Sequence, residues 1–180
     1  TPAGTSTVKV AYMSWEMAAF AAVAPMQLDG PLAMMIFCGA LEHKNSYLGM
    51  TGRYATRTRG AYLGWLGTLA HEYFHAWHVK RLKPREFAAF DYTRENYTRL
   101  LWLFEGATSY YDDLLLLRAG LIDAARYLRL LAKSVNAVRT TPGRLVQSVA
   151  DSSFDAWTKY YRADENTANA TVSYYAKGAL

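Results

Sequence analysis

Three of the chain's four histidines lie in one short stretch, LGTLAHEYFHAWHVKRLKP, at residues 66–84. His71 and His75 are four residues apart, and Glu72 follows the first of them. On a helix this spacing places the two imidazoles on one face, with Cβ atoms roughly 6 Å apart. Two imidazoles at that separation can bind one Zn²⁺, and a carboxylate beside them can take a proton from water that the ion acidifies. The H-E-x-x-H spacing therefore predicts a hydrolytic zinc site, although a bare H-E-x-x-H also arises by chance in unrelated helices.

A catalytic zinc site needs a third protein ligand and one open position. His78 lies seven residues beyond His71, an axial rise of about 10.5 Å on a straight helix, and no glycine bends the chain between them. Glu105 is the better candidate, because a carboxylate within the apolar run LLWLFEG is costly unless it is paired or bound to a metal. Asp112 follows seven residues later on about the same helical face. It would either accept a hydrogen bond from a ligand histidine or be a solvated aspartate.

The elements that must position these residues are mainly helical. Apolar residues recur at spacings of three and four from Gly60 onward, which predicts a helix that Pro84 limits. These residues are Leu63, Leu66, Ala70, Phe74 and Trp77. Further patterns predict a helix that Thr93 caps, another over 121–138, a short one over 143–152 and a last one that begins near Ser173.

The N-terminal part of the chain carries the strand signals. Alternation around Val8–Tyr12 and the apolar run at 32–38 predict strands, with GALEH continuing the second one, and Ser14 can cap a helix that Pro25 ends. A chain of 180 residues suits one domain with a sizeable core. The expected fold class is therefore α+β, mainly helical with a small N-terminal sheet, in a single domain over residues 1–180.

Composition excludes several classes of protein. Just over half of the residues are hydrophobic and 19% are charged, which is typical of a globular chain rather than a disordered one. No stretch reaches the roughly 18 uninterrupted apolar residues of a membrane span. The single cysteine rules out an internal disulfide and leaves the cellular compartment undecided. Basic residues form two clusters, which are either solvated loop charge or a site for an anionic partner: Arg53, Arg57, Arg59, and Lys80, Arg81, Lys83, Arg85.

Four segments of the chain resemble the glycyl aminopeptidase family of zinc metallopeptidases. They are GALEHKNS (39–46), LAHEYFHAWHVKRLKP (69–84), FDYTRENYTRLLWLFEGATSYYDD (90–113) and TVSYYAKGAL (171–180). The resemblance implies a thermolysin-like catalytic domain. Full-length members of the family carry a β-rich N-terminal domain and a C-terminal PDZ domain, so we expect this chain to be a fragment of a longer protein.

The resemblance also implies a role for each residue that matches the family's motifs. The zinc ligands would be His71, His75 and Glu105. The general base would be Glu72. Glu42, in GALEH, would bind the free α-amine of the substrate. Tyr175, rather than the neighbouring Tyr174, would donate a hydrogen bond to the tetrahedral oxyanion.

The expected function is zinc-dependent removal of the N-terminal residue, Gly or Ala, from peptides that have a free N-terminus. Two alternatives keep the zinc site: an endopeptidase in which Glu42 is merely structural, and a zinc-binding fragment whose cleft is incomplete without neighbouring domains. A third alternative is a nucleic-acid module that uses the basic clusters, although the sequence contains none of the motifs of that class. No nucleic-acid partner and no membrane span are therefore expected.

Overall fold

The computed structural model describes residues 39–44, 46–52, 54 and 56–180. The strands predicted around 8–12 and at 32–38, and the helix predicted from Ser14, lie outside these residues. Two short strands, β1 (Gly39–Glu42) and β2 (Tyr47–Met50), pair in antiparallel register, with Glu42 opposite Tyr47. Most of the other described elements are helical. The expectation of a mainly helical chain with a small sheet is therefore confirmed.

Helix α1 (Arg59–Phe74) begins where the sequence predicts, because the Thr58 hydroxyl accepts a hydrogen bond from the backbone N–H of Ala61 at 3.2 Å. Its predicted end near Pro84 is wrong, since the chain leaves the helix after Phe74 and continues in turns. Trp77 is 43% exposed and so does not extend the buried stripe.

The remaining helical elements follow one another with short connections. They are a π-helical turn (Trp102–Gly106), α2 (Ala107–Arg118), α3 (Ala124–Thr140), α4 (Val149–Phe154), a second π-helical turn (Ala156–Tyr160), α5 (Thr167–Ala170) and α6 (Tyr174–Gly178). Two 3₁₀ turns lie at Arg85–Phe87 and Pro142–Leu145. The helix predicted over 121–138 is thus α3. The one predicted over 143–152 is divided between a 3₁₀ turn and α4.

Side-chain caps mark the starts of several helices. The side chains of Asp123, Ser148 and Ser173 accept backbone N–H bonds at the starts of α3, α4 and α6. The prediction that a last helix begins near Ser173 is confirmed.

Thr93 does not cap a helix, and this prediction from the sequence is wrong. Its backbone N–H and its hydroxyl both donate to Oδ1 of Asp91, at 3.0 and 2.6 Å. The Asn96 side chain closes the same loop by bonding the backbone of Asp91. The helical region starts only after residue 100, where the N–H of Trp102 donates to the hydroxyl of Ser153 at 2.9 Å.

A cluster of buried apolar residues lies where α1 and α2 pack side by side. Its most buried apolar residues are Leu66, Leu116 and Ile122, and side chains from α1, α2 and α3 surround them. None of the helices in the described part of the chain has the length and apolar character needed to cross a bilayer.

Candidate active site

Nitrogen and oxygen donors from two elements converge at one point between α1 and the first π-helical turn. Nε2 of His71 and Nε2 of His75 each lie 3.2 Å from Oε2 of Glu105. All three donor atoms lie within 4.8 Å of one another. The structure therefore brings together the three residues that the sequence predicts as metal ligands.

The other nitrogen of each imidazole has a hydrogen-bond acceptor. Nδ1 of His75 lies 2.9 Å from the carbonyl oxygen of His78, and Nδ1 of His71 lies 3.1 Å from Oδ2 of Asp112. A carbonyl or a carboxylate oxygen can only accept a hydrogen bond, so each Nδ1 carries a proton. When the ring is neutral, its Nε2 therefore carries a lone pair. Asp112 thus occupies the place expected of a carboxylate that orients a ligand histidine.

Two nitrogen lone pairs and a carboxylate oxygen that face one point repel each other unless positive charge lies between them. The pKa values of His71 and Glu105 are shifted in the directions that favour positive charge at this point. Burial lowers the pKa of His71, but Asp112 and Glu105 outweigh burial and raise it well above its usual range. Burial likewise raises the pKa of Glu105, but hydrogen bonds from the histidines, which each ring can donate when its Nε2 is protonated, outweigh burial and lower that pKa. A His₂Glu donor set with this demand for positive charge fits a divalent metal ion.

Glu72 lies beside the donor cluster and is not one of its members. It is buried, and its Oε2 has no hydrogen-bond partner among the described residues. Burial raises the pKa of Glu72 to about 7, although the nearby His71 and His75 oppose this effect. A buried carboxylate oxygen without a partner is able to accept a proton from a small molecule such as water.

A cavity of about 440 Å³ opens onto this cluster between α1, α2, α3 and α6. His71, Glu72, Asp112 and Tyr175 all line it. The ring centroids of Tyr175 and His71 are 6.2 Å apart. The neighbouring Tyr174 is only 1% exposed, and its hydroxyl lies 3.3 Å from the hydroxyl of Tyr161. Of the two adjacent tyrosines, Tyr175 is therefore the one that lines the cavity.

Helix α6 can bring Tyr175 to the cavity because two glycines meet at its contact with the first π-helical turn. A Cβ atom on Gly106 would lie 2.5 Å from the carbonyl carbon of Gly178. Any side chain at this contact would force α6 away from the turn that carries Glu105.

Glu42 reaches the same site from the end of strand β1. One donor atom each of Glu42, Glu72 and His75 lie within 4.8 Å of one another. The carboxylate of Glu42 is not free, because Nζ of Lys80 lies 2.7 Å from its Oε1. Lys80 was counted in the sequence only as a member of a basic cluster, and nothing in its spacing predicts a partner on a distant strand.

His78 packs within the protein and takes no part in the donor cluster. Its ring stacks on Phe104 at a centroid distance of 4.7 Å and meets the ring of Phe74 edge-on at 5.5 Å. Burial lowers the pKa of His78, which favours the neutral ring. Its contribution to the site is the backbone carbonyl that orients His75. Thr108 is a second supporting residue that sequence reasoning missed: it is fully buried, and its hydroxyl lies 3.5 Å from Nδ1 of His75.

Two comparisons with known proteins agree with one another. A family model described as M61 glycyl aminopeptidase matches residues 64–180. The structure is similar to the crystal structure of an aminopeptidase N family protein from Idiomarina loihiensis, with a TM-score of 0.76 and 44% sequence identity. The similarity covers 79% of this chain and 25% of that protein, so the chain spans about a quarter of its relative's length. No curated protein matches the chain.

Proposed function

The chain belongs to the M61 glycyl aminopeptidase family, and we propose that it is the catalytic domain of a zinc-dependent aminopeptidase that removes an N-terminal Gly or Ala from peptides. One observation carries this proposal. Nε2 of His71, Nε2 of His75 and the Glu105 carboxylate face one point, next to the unpartnered carboxylate of Glu72. This arrangement has the parts of a hydrolytic metal site, and two of its members, His71 and Glu72, line a cavity with room for substrate.

The residues that would hold zinc are His71, His75 and Glu105, with Asp112 and the carbonyl of His78 fixing the two rings. When bound, zinc supplies a Lewis acid that acidifies water and polarises the carbonyl of the scissile peptide bond. The thermolysin-like character of the domain is a further part of the proposal. It is supported by the use of a third ligand from a separate helix, 30 residues beyond His75.

Glu72 is the general base of the proposed reaction. Its unpartnered oxygen takes the proton of the attacking water and then delivers it to the amine of the departing peptide. Burial suits this exchange, because a desolvated carboxylate holds a proton more readily than an exposed one. Tyr175, which lines the cavity near His71, donates a hydrogen bond from its hydroxyl to the oxyanion.

Glu42 is the residue that would make the enzyme an aminopeptidase. Its carboxylate pairs with the α-ammonium of the substrate's first residue, and this contact sets the distance from the N-terminus to the bond that is cut. The position of Glu42 beside Glu72 supports this role, because a free N-terminus lies one residue from the scissile carbonyl. An endopeptidase would not depend on this contact.

The proposal is tested by metal content and hydrolysis on the full-length protein and two variants. We expect about one zinc per chain in the wild type and in Glu72→Gln, and none in Glu105→Ala. Hydrolysis of glycine p-nitroanilide should be abolished by chelator and lost in both variants. N-acetylation of the substrate should abolish hydrolysis. A wild-type protein without zinc would overturn the metal site, and equal cleavage of free and acetylated substrates would identify an endopeptidase.

A further inference from the structure

The ammonium group of Lys80 forms an ion pair with Glu42, whose carboxylate would bind the amino group of the substrate in the proposed function. Nζ of Lys80 lies 2.7 Å from Oε1 of Glu42, and the two side chains are 29% and 18% exposed. The backbone of Lys80 is held in place, because its N–H donates to the carbonyl oxygen of His75 at 3.0 Å. The ion pair therefore links the turn after α1 to the end of β1, at the rim of the candidate site.

We propose that Lys80 determines how strongly the site discriminates between free and blocked peptide N-termini, and this inference rests on the proposed function. Glu42 without a counter-ion would lie partly buried near the carboxylate of Glu72, an arrangement that is costly. Lys80 offsets that cost when no substrate is bound. A substrate ammonium must then share Glu42 with Lys80 or displace it, so it gains less from binding than it would at an unpaired carboxylate.

The same pair also makes the site more tolerant of a blocked N-terminus. An acetylated peptide brings no positive charge, and without Lys80 it would leave Glu42 buried beneath it with no partner. With Lys80 in place, the carboxylate remains compensated. Lys80 thus weakens the binding of peptides with a free N-terminus and makes the binding of peptides with a blocked N-terminus less unfavourable. Both effects reduce the site's preference for a free amine.

The chain offers a matched control close to Lys80. Lys83 is exposed and has no ion-pair partner among the described residues, so its removal changes the charge of the same segment without touching Glu42. The intervening Arg81 does not compete for Glu42, because its guanidinium donates to the carbonyl oxygen of Ala76.

The test compares Lys80→Gln, Lys83→Gln and Glu42→Gln in the zinc-loaded, full-length protein. The probes are glycine p-nitroanilide for kinetics, and glycinamide and N-acetylglycinamide for binding by calorimetry. In Lys80→Gln we expect the KM of the anilide to fall and the ratio of glycinamide to N-acetylglycinamide affinity to rise, on the order of tenfold. The kcat should stay within about twofold, because the ammonium contact is the same in the ground and transition states. Lys83→Gln should leave the ratio unchanged.

The Glu42→Gln variant separates failure of this inference from failure of the proposed function. If Glu42→Gln brings the affinity ratio close to one while Lys80→Gln leaves it unchanged, Lys80 only joins β1 to the turn and the inference is overturned. If Glu42→Gln leaves the ratio unchanged, Glu42 does not bind the amine, and the proposed amine site fails together with the inference.

Discussion

The contact between α6 and the first π-helical turn leaves no room for a side chain, so Gly178→Ala should disturb the site from a position outside it. The added Cβ would overlap the carbonyl oxygen of Trp102 and lie 3.1 Å from Cα of Gly106. Both neighbours are backbone atoms, which cannot rotate away as the end of a side chain can. Relief therefore requires α6 to move, and Tyr175 lies on the same short helix.

The magnitude follows from two opposing effects. Overpacking a tight contact costs about 1–3 kcal/mol, and replacing a helical glycine by alanine returns up to about 1 kcal/mol. We expect the free energy of unfolding of Gly178→Ala to fall by about 1–2 kcal/mol, which lowers Tm by about 2–8 °C for a domain of this size. The shift of Tyr175 should also lower kcat for glycine p-nitroanilide, with zinc content retained.

Gly64→Ala is the matched control, because Gly64 lies within α1 and no described atom would come within 4 Å of its Cβ. Only the helix-propensity effect remains there, so this variant should be more stable than the wild type by about 0.5–1 kcal/mol. Thermal unfolding followed by circular dichroism, at one fixed zinc concentration, measures both variants. If Gly178→Ala melts at or above the temperature of the wild type, the close backbone approach is not what positions α6.

Three further predictions concern individual side chains in or beside the site, including Asp113, which lines the same cavity. Asp112→Asn should weaken zinc binding by about 10–100-fold in competition with a chromophoric chelator, and unchanged affinity would refute its orienting role. Tyr175→Phe should lower kcat by about 10²–10³-fold with little change in KM, whereas Tyr174→Phe should leave kcat close to that of the wild type. Burial, then the charge of Asp112, raises the pKa of Asp113 to about 6. The folded protein therefore holds this proton more tightly than the unfolded chain, and the contribution of Asp113 to stability falls as the pH rises from about 4 to 6. Because Asp113 is only partly shielded from solvent, Asp113→Asn should raise the free energy of unfolding by about 1 kcal/mol at pH 7.5 and leave it unchanged near pH 4. An equal effect at both pH values would contradict this cause.

The sequence predicted those features of the molecule that depend on local spacing. The start of α1, a helix over 121–138 and a last helix beginning near Ser173 follow from short-range rules, and the structure has all three, with the second helix at Ala124–Thr140. The meeting of His71 and His75 is also local. Glu105 lies 30 residues beyond His75, and the sequence identifies it as a candidate ligand only because a carboxylate in an apolar run requires a partner.

The features that the sequence could not predict depend on distant contacts. Thr93 satisfies the general rule for a helix cap, yet Asp91 binds both its hydroxyl and its N–H within a loop. The true start of the helical region has a bond from the Trp102 N–H to Ser153, which lies 51 residues further along the chain. The pairing of Lys80 with Glu42 is of the same kind, since it joins two segments whose proximity only the fold creates.

The sequence wrongly predicted that α1 extends to Pro84. Its early end, after Phe74, is part of what orients His75. In an uninterrupted helix, the carbonyl oxygen of His78 would accept the backbone N–H of residue 82. Here the N–H of Leu82 donates instead to the carbonyl oxygen of Trp77 at 2.8 Å. The carbonyl of His78 is thereby available to Nδ1 of His75, which leaves Nε2 of that ring to face Glu105. Glu105 itself lies in a π-helical turn, a second departure from regular helix and one that often occurs at functional sites. Regular periodicity therefore predicts which segments are helical, whereas the donor atoms of the site are directed by the two places where that periodicity breaks.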